Sequence, residues 1–295
     1  SVMQSGFTAG EIVKQYKLTR KGGEVLKIDV IIPVYKPGGE LFRLLDMLES
    51  QSVPVAHIIL MNTERKYYEK LAGTVSMEER YPNLKVYHLT RQEFDHGGTR
   101  RLGVEKSDAD IFIMMTQDAM PVDDRLVEHL TRNLKDKVAV AFARQLPGVD
   151  SSVLEGISRF FNYPDRSMVK AKGDLQEMGI KTFFCSNVCA AYRRDIYEET
   201  GGFVRRTIFN EDMIYAAGIV KAGFRIAYEA EAQVVHAHNY TNVQQLKRNF
   251  DLGVSQADHP EVFAGMSSES EGKKYVFAAC SYLAKERQIY KLPGF

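Results

Sequence analysis

Cysteine is scarce in this chain of 295 residues: Cys185, Cys189 and Cys280 are all it has. Three thiols make no disulfide framework, and without a Cys-x-x-Cys pair they suggest no zinc site. A strong net charge is equally absent. The 39 lysines and arginines nearly balance 38 acids, and a net charge of +1 argues against general affinity for nucleic acid. No apolar run approaches the ~20 residues needed to span a bilayer. Residues 1–27 lack the apolar core of a signal peptide and read as a weakly structured lead-in, with a short helix expected at Gly10–Tyr16. These absences predict an intracellular, cytoplasmic protein. Repeats and low-complexity tracts are missing too, so one large domain or two small ones must account for the length.

What the chain does have is a series of short apolar runs separated by turn residues and amphipathic stretches. Ile28–Tyr35, Val55–Met61 and Leu84–Leu89 are expected strands. Between them lie helical patterns, Leu41, Leu44, Leu45 and Leu48 in the first and Glu64–Arg80 in the second. Strand, helix, strand, helix, strand implies parallel pairing, a Rossmann-like half of an α/β fold. The Gly-x-Gly-x-x-Gly turn that would follow the first strand in an NAD or FAD protein is absent. A Gly-Gly pair instead appears later, in Phe94-Asp-His-Gly-Gly-Thr-Arg-Arg101. Backbone N–H groups at a helix start, with Arg100 and Arg101, suit a diphosphate; they equally suit a helix end with solvated arginines.

The most informative stretch is Ile111-Phe-Ile-Met-Met-Thr-Gln-Asp-Ala-Met-Pro121. Its apolar run has the length of a buried strand, and Asp118 falls at that strand's C-terminal end, the edge where open α/β sheets bind ligands. A carboxylate there either caps a turn or holds a divalent cation against a nucleotide's phosphates. Beyond it the pattern predicts a helix from Asp123 to about Lys135, a strand at Val138–Ala143 and a helix over Ser151–Tyr163. A polar loop should span Pro164–Lys181, and a strand should end the run Phe183–Tyr192. Asn210-Glu-Asp212 opens the helix Met213–Ala222, and two strands follow, Phe224–Tyr228 and Gln233–His238. The period of two sets His236 and His238 on one face. From Thr241 the chain reads as helical, with Leu246, Phe250 and Val254 in register.

Three of these segments carry a resemblance. Val30-Ile-Ile-Pro-Val-Tyr35, the acidic strand end at Asp118 and the Glu211-Asp212 pair, in that order and spacing, resemble the inverting GT-A glycosyltransferases of family 2 over residues 28–240. Phe94–Arg100, Thr116–Ala119 and His236-Ala-His-Asn-Tyr240 are similar to the bacterial rhamnosyltransferase branch. The sequence departs from the family pattern twice. Gln117-Asp118-Ala119 stands where most members have Asp-x-Asp, and Met61-Asn-Thr-Glu64 where many have an acidic stretch.

The resemblance implies a GT-A domain at 28–240 with a helical extension at 241–295. It implies transfer of a sugar from a nucleotide diphosphate to an acceptor hydroxyl with inversion, using Mg²⁺ or Mn²⁺. Asp118, with His236 or His238, would hold the metal; with one carboxylate, diphosphate and water would complete its shell. His96, Gly97, Arg100, Arg101 and Gln117 would face the donor, and Pro33, Val34, Tyr35 and Asn62 would line the nucleoside pocket. Asp212 would take the acceptor's proton, and Glu211 would orient the loop or touch the acceptor. The donor implied is dTDP-rhamnose, with a UDP-sugar as the alternative. The acceptor would be a saccharide or lipid-linked saccharide of a cell-surface polysaccharide, handled at the inner face of the membrane. Lys273, Lys274, Lys285 and Arg287 beside Tyr275, Phe277, Tyr282 and Tyr290 form either a peripheral membrane contact or a packed amphipathic helix. Two other readings compete: a sugar nucleotidyltransferase, and a nucleotide-sugar-binding module without turnover.

Overall fold

A computed structural model describes residues 25–73, 77–237, 242–264 and 269–285. The helix expected at Gly10–Tyr16, together with His238, Arg287 and Tyr290, lies outside them. The expected strands are present: β1 (Ile28–Tyr35), β2 (His57–Thr63), β3 (Leu84–Leu89) and β4 (Ile111–Met115). They continue as β5 (Met120–Pro121), β6 (Val138–Leu146), β7 (Met168–Lys170), β8 (Cys189–Arg193) and β9 (Arg225–Val235). One sheet takes them all in the order β3-β2-β1-β4-β8-β6-β9-β5, with β7 paired to β9. β3, β2, β1 and β4 are parallel neighbours, β8 runs antiparallel between β4 and β6, and β6 and β9 are again parallel.

β4 lies at the centre, and its period of two serves both faces. Ile111, Ile113 and Met115 enter one core layer, whereas Phe112 and Met114 enter the other. None of the five is more than 2% exposed, which at about 1.5–3 kcal/mol per fully buried apolar side chain makes this strand a main anchor of the sheet. The first layer is closed by helix Glu40–Glu49, through Leu41, Leu44, Leu45 and Leu48, and by helix Leu126–Thr131. Helices Arg194–Glu199 and Glu211–Lys221 close the second. The result is a sheet covered by helices on both faces.

Several expected elements take a different form. Glu64–Arg80 is two helices, Arg65–Ala72 and Met77–Arg80, because Gly73 at φ 65° ends the first. The helix expected from Asp123 shrinks to Leu126–Thr131. The two strands expected at Phe224–Tyr228 and Gln233–His238 are the single strand β9, with an irregularity opposite Ala143 and Arg144. Glu229 suggests a break, yet it is 1% exposed, accepting hydrogen bonds from Arg132 and Asn133. The stretch Pro164–Lys181 is also more ordered than a loop. It contributes β7, where Lys170 is buried and donates to the carbonyls of Lys181 (3.0 Å) and Phe184. Burial lowers that ammonium's pKa to about 7.

Beyond β9 the described chain is helical, as expected: Asn242–Asp258, Pro260–Phe263 and Glu269–Lys285. Helix Glu269–Lys285 packs Ala279 and Leu283 on Ile157 of helix Val153–Asn162. Its outer face leaves Phe277 exposed beside Lys273 and Lys274. The apolar register of helix Asn242–Asp258 is not buried, since Leu246 is 71% exposed and Phe250 69%.

Candidate functional site

The parallel strands β1 and β4 end at the same edge, and the side chains that follow them meet there. Gln117 clamps the two ends together: its Oε1 accepts from Tyr35 N (2.9 Å) and its Nε2 donates to Tyr35 O (3.0 Å). This fixes the turn that carries Asp118, whose side chain is 39% exposed at the edge. β9 delivers His236 from the other half of the sheet, with Nε2 3.5 Å from Asp118 Oδ1. The pair that the sequence assigns to a metal is therefore brought together.

Residues that sequence reasoning missed surround the histidine. Nδ1 of His236 lies 3.0 Å from Gln145 Oε1 and 3.1 Å from Arg159 Nη2. Gln145 donates to Tyr163 Oη (2.5 Å) and Ser186 Oγ (2.9 Å) and accepts from Arg159 Nη1 (2.5 Å). The segment Ser186-Asn187-Val188 then joins this cluster to the rest of the site. Val188 O accepts from Thr116 N (3.1 Å), two residues before Asp118, and Asn187 reaches the acidic pair. The signal available in the sequence was a polar Ser-Asn pair inside the apolar run Phe183–Tyr192.

The acidic pair heads helix Glu211–Lys221, and its two members are used differently. Glu211 is buried, with Oε1 3.0 Å from Asn187 Nδ2 and 3.1 Å from Arg100 Nε. Asp212 is partly exposed; its oxygens accept from Asn187 N (2.9 Å) and Met213 N (2.8 Å). Each carboxylate oxygen retains a second lone pair for a proton. Burial first, and the neighbouring Glu211 second, raise the Asp212 carboxyl from its ordinary value to about 7. A base poised near neutrality suits proton removal from a hydroxyl as it attacks. Tyr192 Oη, donating to Asn187 Oδ1 (2.6 Å), holds the side-chain amide that serves Glu211, while the backbone N–H of the same residue serves Asp212.

Other expected site residues turn out to have structural partners. Arg100, buried, is paired with Glu211 and donates to His96 O (3.1 Å), so its charge faces an acid of its own chain. Arg101 donates to the carbonyls of Gly201 (2.9 Å) and Phe203 (2.8 Å), fastening its helix to the following loop. Gly97 is glycine for close approach: a Cβ there would lie 2.5 Å from Val204 O. The helix N-terminus is occupied too, with Gly98 N donating to Asp95 Oδ1 (2.7 Å). His96 stacks on Phe209, and burial and Arg100 lower its pKa. In the expected nucleoside wall Tyr35 is exposed and Pro33 partly so, but Val34 belongs to the core. Asn62 is fully buried, its Nδ2 2.9 Å from His88 Nδ1 on the paired strand β3.

Asp118 and His236 fit a shared cation. An imidazole nitrogen and a carboxylate oxygen are a donor set for Mn²⁺ or Mg²⁺, and two ligands about 2.1 Å from one ion lie on the order of 3 Å apart. Asp29, His57 and Asp108 also cluster, with ligand atoms within 4.8 Å of one another. They stand at the start of β1 and β2, roughly 20 Å from the strands' other ends at about 3.3 Å per residue. Asp29 is already served by Ser107 Oγ (2.7 Å) and His57 Nδ1 (3.1 Å), and Asp108 by Lys27. This second cluster is a hydrogen-bonded corner of the fold, buried at Asp29 and open at Asp108, away from the edge that carries Asp212.

Residues 29–201 match the family described as Glycosyl transferase family 2. The O-antigen chain rhamnosyltransferase RfbN of Salmonella typhimurium strain LT2 is 38% identical over 270 residues, covering 90% of this chain and 84% of that protein. The O-antigen chain rhamnosyltransferase WbaN of Salmonella anatum is 36% identical over 270 residues, covering 88% and 82%. Among solved structures, the mannosyltransferase PcManGT from Pyrobaculum calidifontis, in complex with GDP-Man and Mn²⁺, superposes with a TM-score of 0.56 at 15% identity, covering 97% of this chain and 79% of that one. TarS of S. aureus, residues 1–349, gives 0.55 at 15% identity, covering 87% and 72%. These two likenesses speak for the fold alone, the GT-A arrangement the sequence predicts.

Proposed function

The chain belongs to glycosyl transferase family 2, and from that premise we propose that it moves a rhamnosyl group from dTDP-rhamnose to a saccharide hydroxyl, with inversion, in cell-surface polysaccharide synthesis. The observation that carries this reading is the segment Ser186–Val188, which ties the Asp118–His236 edge to Asp212. The rhamnosyl choice is supported by two relatives named rhamnosyltransferases.

In this reading the acceptor oxygen attacks the anomeric carbon as the bond from that carbon to the diphosphate breaks. Asp212 receives the acceptor's proton, and its two backbone donors hold the carboxylate in place while it does so. Asp118 and His236 would hold Mg²⁺ or Mn²⁺, which when bound neutralises charge gathering on the leaving diphosphate. Tyr35 and Pro33 offer the surface for the nucleoside. Glu211 is a positioning residue, paired with Arg100 and holding Asn187 beneath Asp212. The acceptor is a saccharide, free or lipid-linked, met at the cytoplasmic face of the membrane. No helix among the described residues is long and apolar enough to cross it.

A donor panel with dTDP-rhamnose, UDP-glucose and GDP-mannose, read as released nucleoside diphosphate with a saccharide acceptor, tests the proposal. Preferred turnover of dTDP-rhamnose is expected. Preference for another donor would overturn the rhamnosyl assignment, and release of a sugar 1-phosphate in place of the nucleoside diphosphate would indicate nucleotidyl transfer.

A further inference from the structure

The two ring nitrogens of a histidine are not equivalent, and only the one without a proton can bind a metal. Which nitrogen of His236 that is depends on Gln145. This amide is 2% exposed, and its orientation is set by three neighbours. Its Nε2 faces two hydroxyls, Tyr163 Oη (2.5 Å) and Ser186 Oγ (2.9 Å), which accept its hydrogens. Its Oε1 accepts from the guanidinium of Arg159 (2.5 Å). The reversed amide would turn NH₂ donors toward Arg159, donor against donor. Oε1 therefore faces His236 Nδ1, 3.0 Å away, and that contact is favourable only when Nδ1 carries the hydrogen.

We propose that Gln145 is a positioning residue that selects the metal-binding tautomer of His236. With the hydrogen held on Nδ1, the lone pair of Nε2 points to Asp118 Oδ1 at 3.5 Å, where a cation can join them. Two groups oppose it: the Asp118 carboxylate, which without metal would accept from an Nε2–H 3.5 Å away, and Arg159. Its Nη2 lies 3.1 Å from the same Nδ1 and could donate to it, leaving the hydrogen on Nε2 and closing that nitrogen to metal. Glu155 Oε1, 3.3 Å from Nη2, draws that donor away. Gln145 and Glu155 thus act together, one accepting from the histidine and the other engaging its competitor. Orienting partners of this kind typically change metal affinity by ~10–100-fold when removed.

The inference rests on the assignment of Asp118 and His236 to the cation, and its test keeps the two apart. Mn²⁺ alone is titrated into the full chain, with free Mn²⁺ read by electron paramagnetic resonance. Gln145→Met should weaken binding ~10–100-fold. Gln145→Glu should stay near wild type, because its carboxylate still accepts from Nδ1 while Tyr163 and Ser186 turn to donate. ¹⁵N spectra of histidine-labelled protein without metal should show hydrogen on Nδ1 of His236 in wild type and Gln145→Glu, and on Nε2 in Gln145→Met. A merely structural glutamine would lower thermal stability without moving that hydrogen. Wild-type Mn²⁺ affinity in Gln145→Met, or an Nε2–H tautomer in wild type, overturns the inference. Wild-type affinity in His236→Ala overturns the metal assignment beneath it. Should Gln145→Met fail to fold, the wild-type and Gln145→Glu spectra still decide.

Discussion

The two edges of the sheet carry the same residue types in different surroundings. At the start of β1 and β2, His57 and Asp29 sit 3.1 Å apart; beyond β4 and β9, His236 and Asp118 sit 3.5 Å apart. Asp29 is fully buried and already accepts from a serine, whereas the Asp118 side chain is 39% exposed. Near the second pair stands a carboxyl raised to about 7, and an acid held in place by an arginine. A cluster of aspartate and histidine is thus no site by composition. The two pairs differ in exposure and in the groups they face: Asp29 is enclosed by Ser107 and His57, whereas Asp118 lies at the edge that also carries Asp212.

Removing the carboxylate proposed as the base should have the largest effect. Asp212→Asn preserves shape and should lower kcat by ~10²–10⁴-fold while donor Kd, by calorimetry, stays near wild type. In wild type, kcat/KM should fall as pH drops through about 7, because the proton on Asp212 blocks its role. Stability should show the opposite trend from this group. Its folded pKa lies above the unfolded value, so its contribution is present at low pH and lost as pH rises through about 7. Asp212→Asn should therefore melt at a higher temperature than wild type at pH 8. A variant that turns over normally, or a pH profile without the acidic fall, would remove Asp212 from the chemistry. At the other edge the expected effect is small and purely structural. Ser107→Ala deletes one hydrogen bond to the buried Asp29 carboxylate and should cost about 1.5–3 kcal/mol in urea unfolding, with kcat per folded molecule unchanged. A loss of turnover there would dissolve the distinction between the edges.

Much of the sheet was legible in the sequence because its strands are continuous apolar runs. Ile111–Met115, buried on both faces, is the clearest case, and it locates Asp118. Asp212 and His236 were legible as residue types at element ends. The partners were not. Gln145 and Arg159 reach His236 from separate segments, Ser186 holds Gln145 from a third, and nothing local marks them. Arg100, Arg101 and Gly97 read as an anion cradle because a sequence shows charge and flexibility without showing what answers them. Glu211, two backbone carbonyls and the close approach of Val204 answer them here. The burial of Asn62 and Val34 has a simpler reason: strand alternation turns Val34 inward, and the pairing with β3 encloses Asn62. The continuous β9 was hidden by Glu229, whose burial depends on Arg132 and Asn133 from a distant turn.

Which edge holds the cation is decided directly by one titration. Mn²⁺ affinity is measured by calorimetry in the presence of dTDP for wild type, Asp118→Ala and Asp108→Ala. The exposed Asp108 belongs to the structural cluster, so its loss should leave affinity unchanged, while Asp118→Ala should weaken it by more than ~10-fold. Weakened binding in Asp108→Ala with wild-type binding in Asp118→Ala would place the metal at the opposite edge and contradict the assignment.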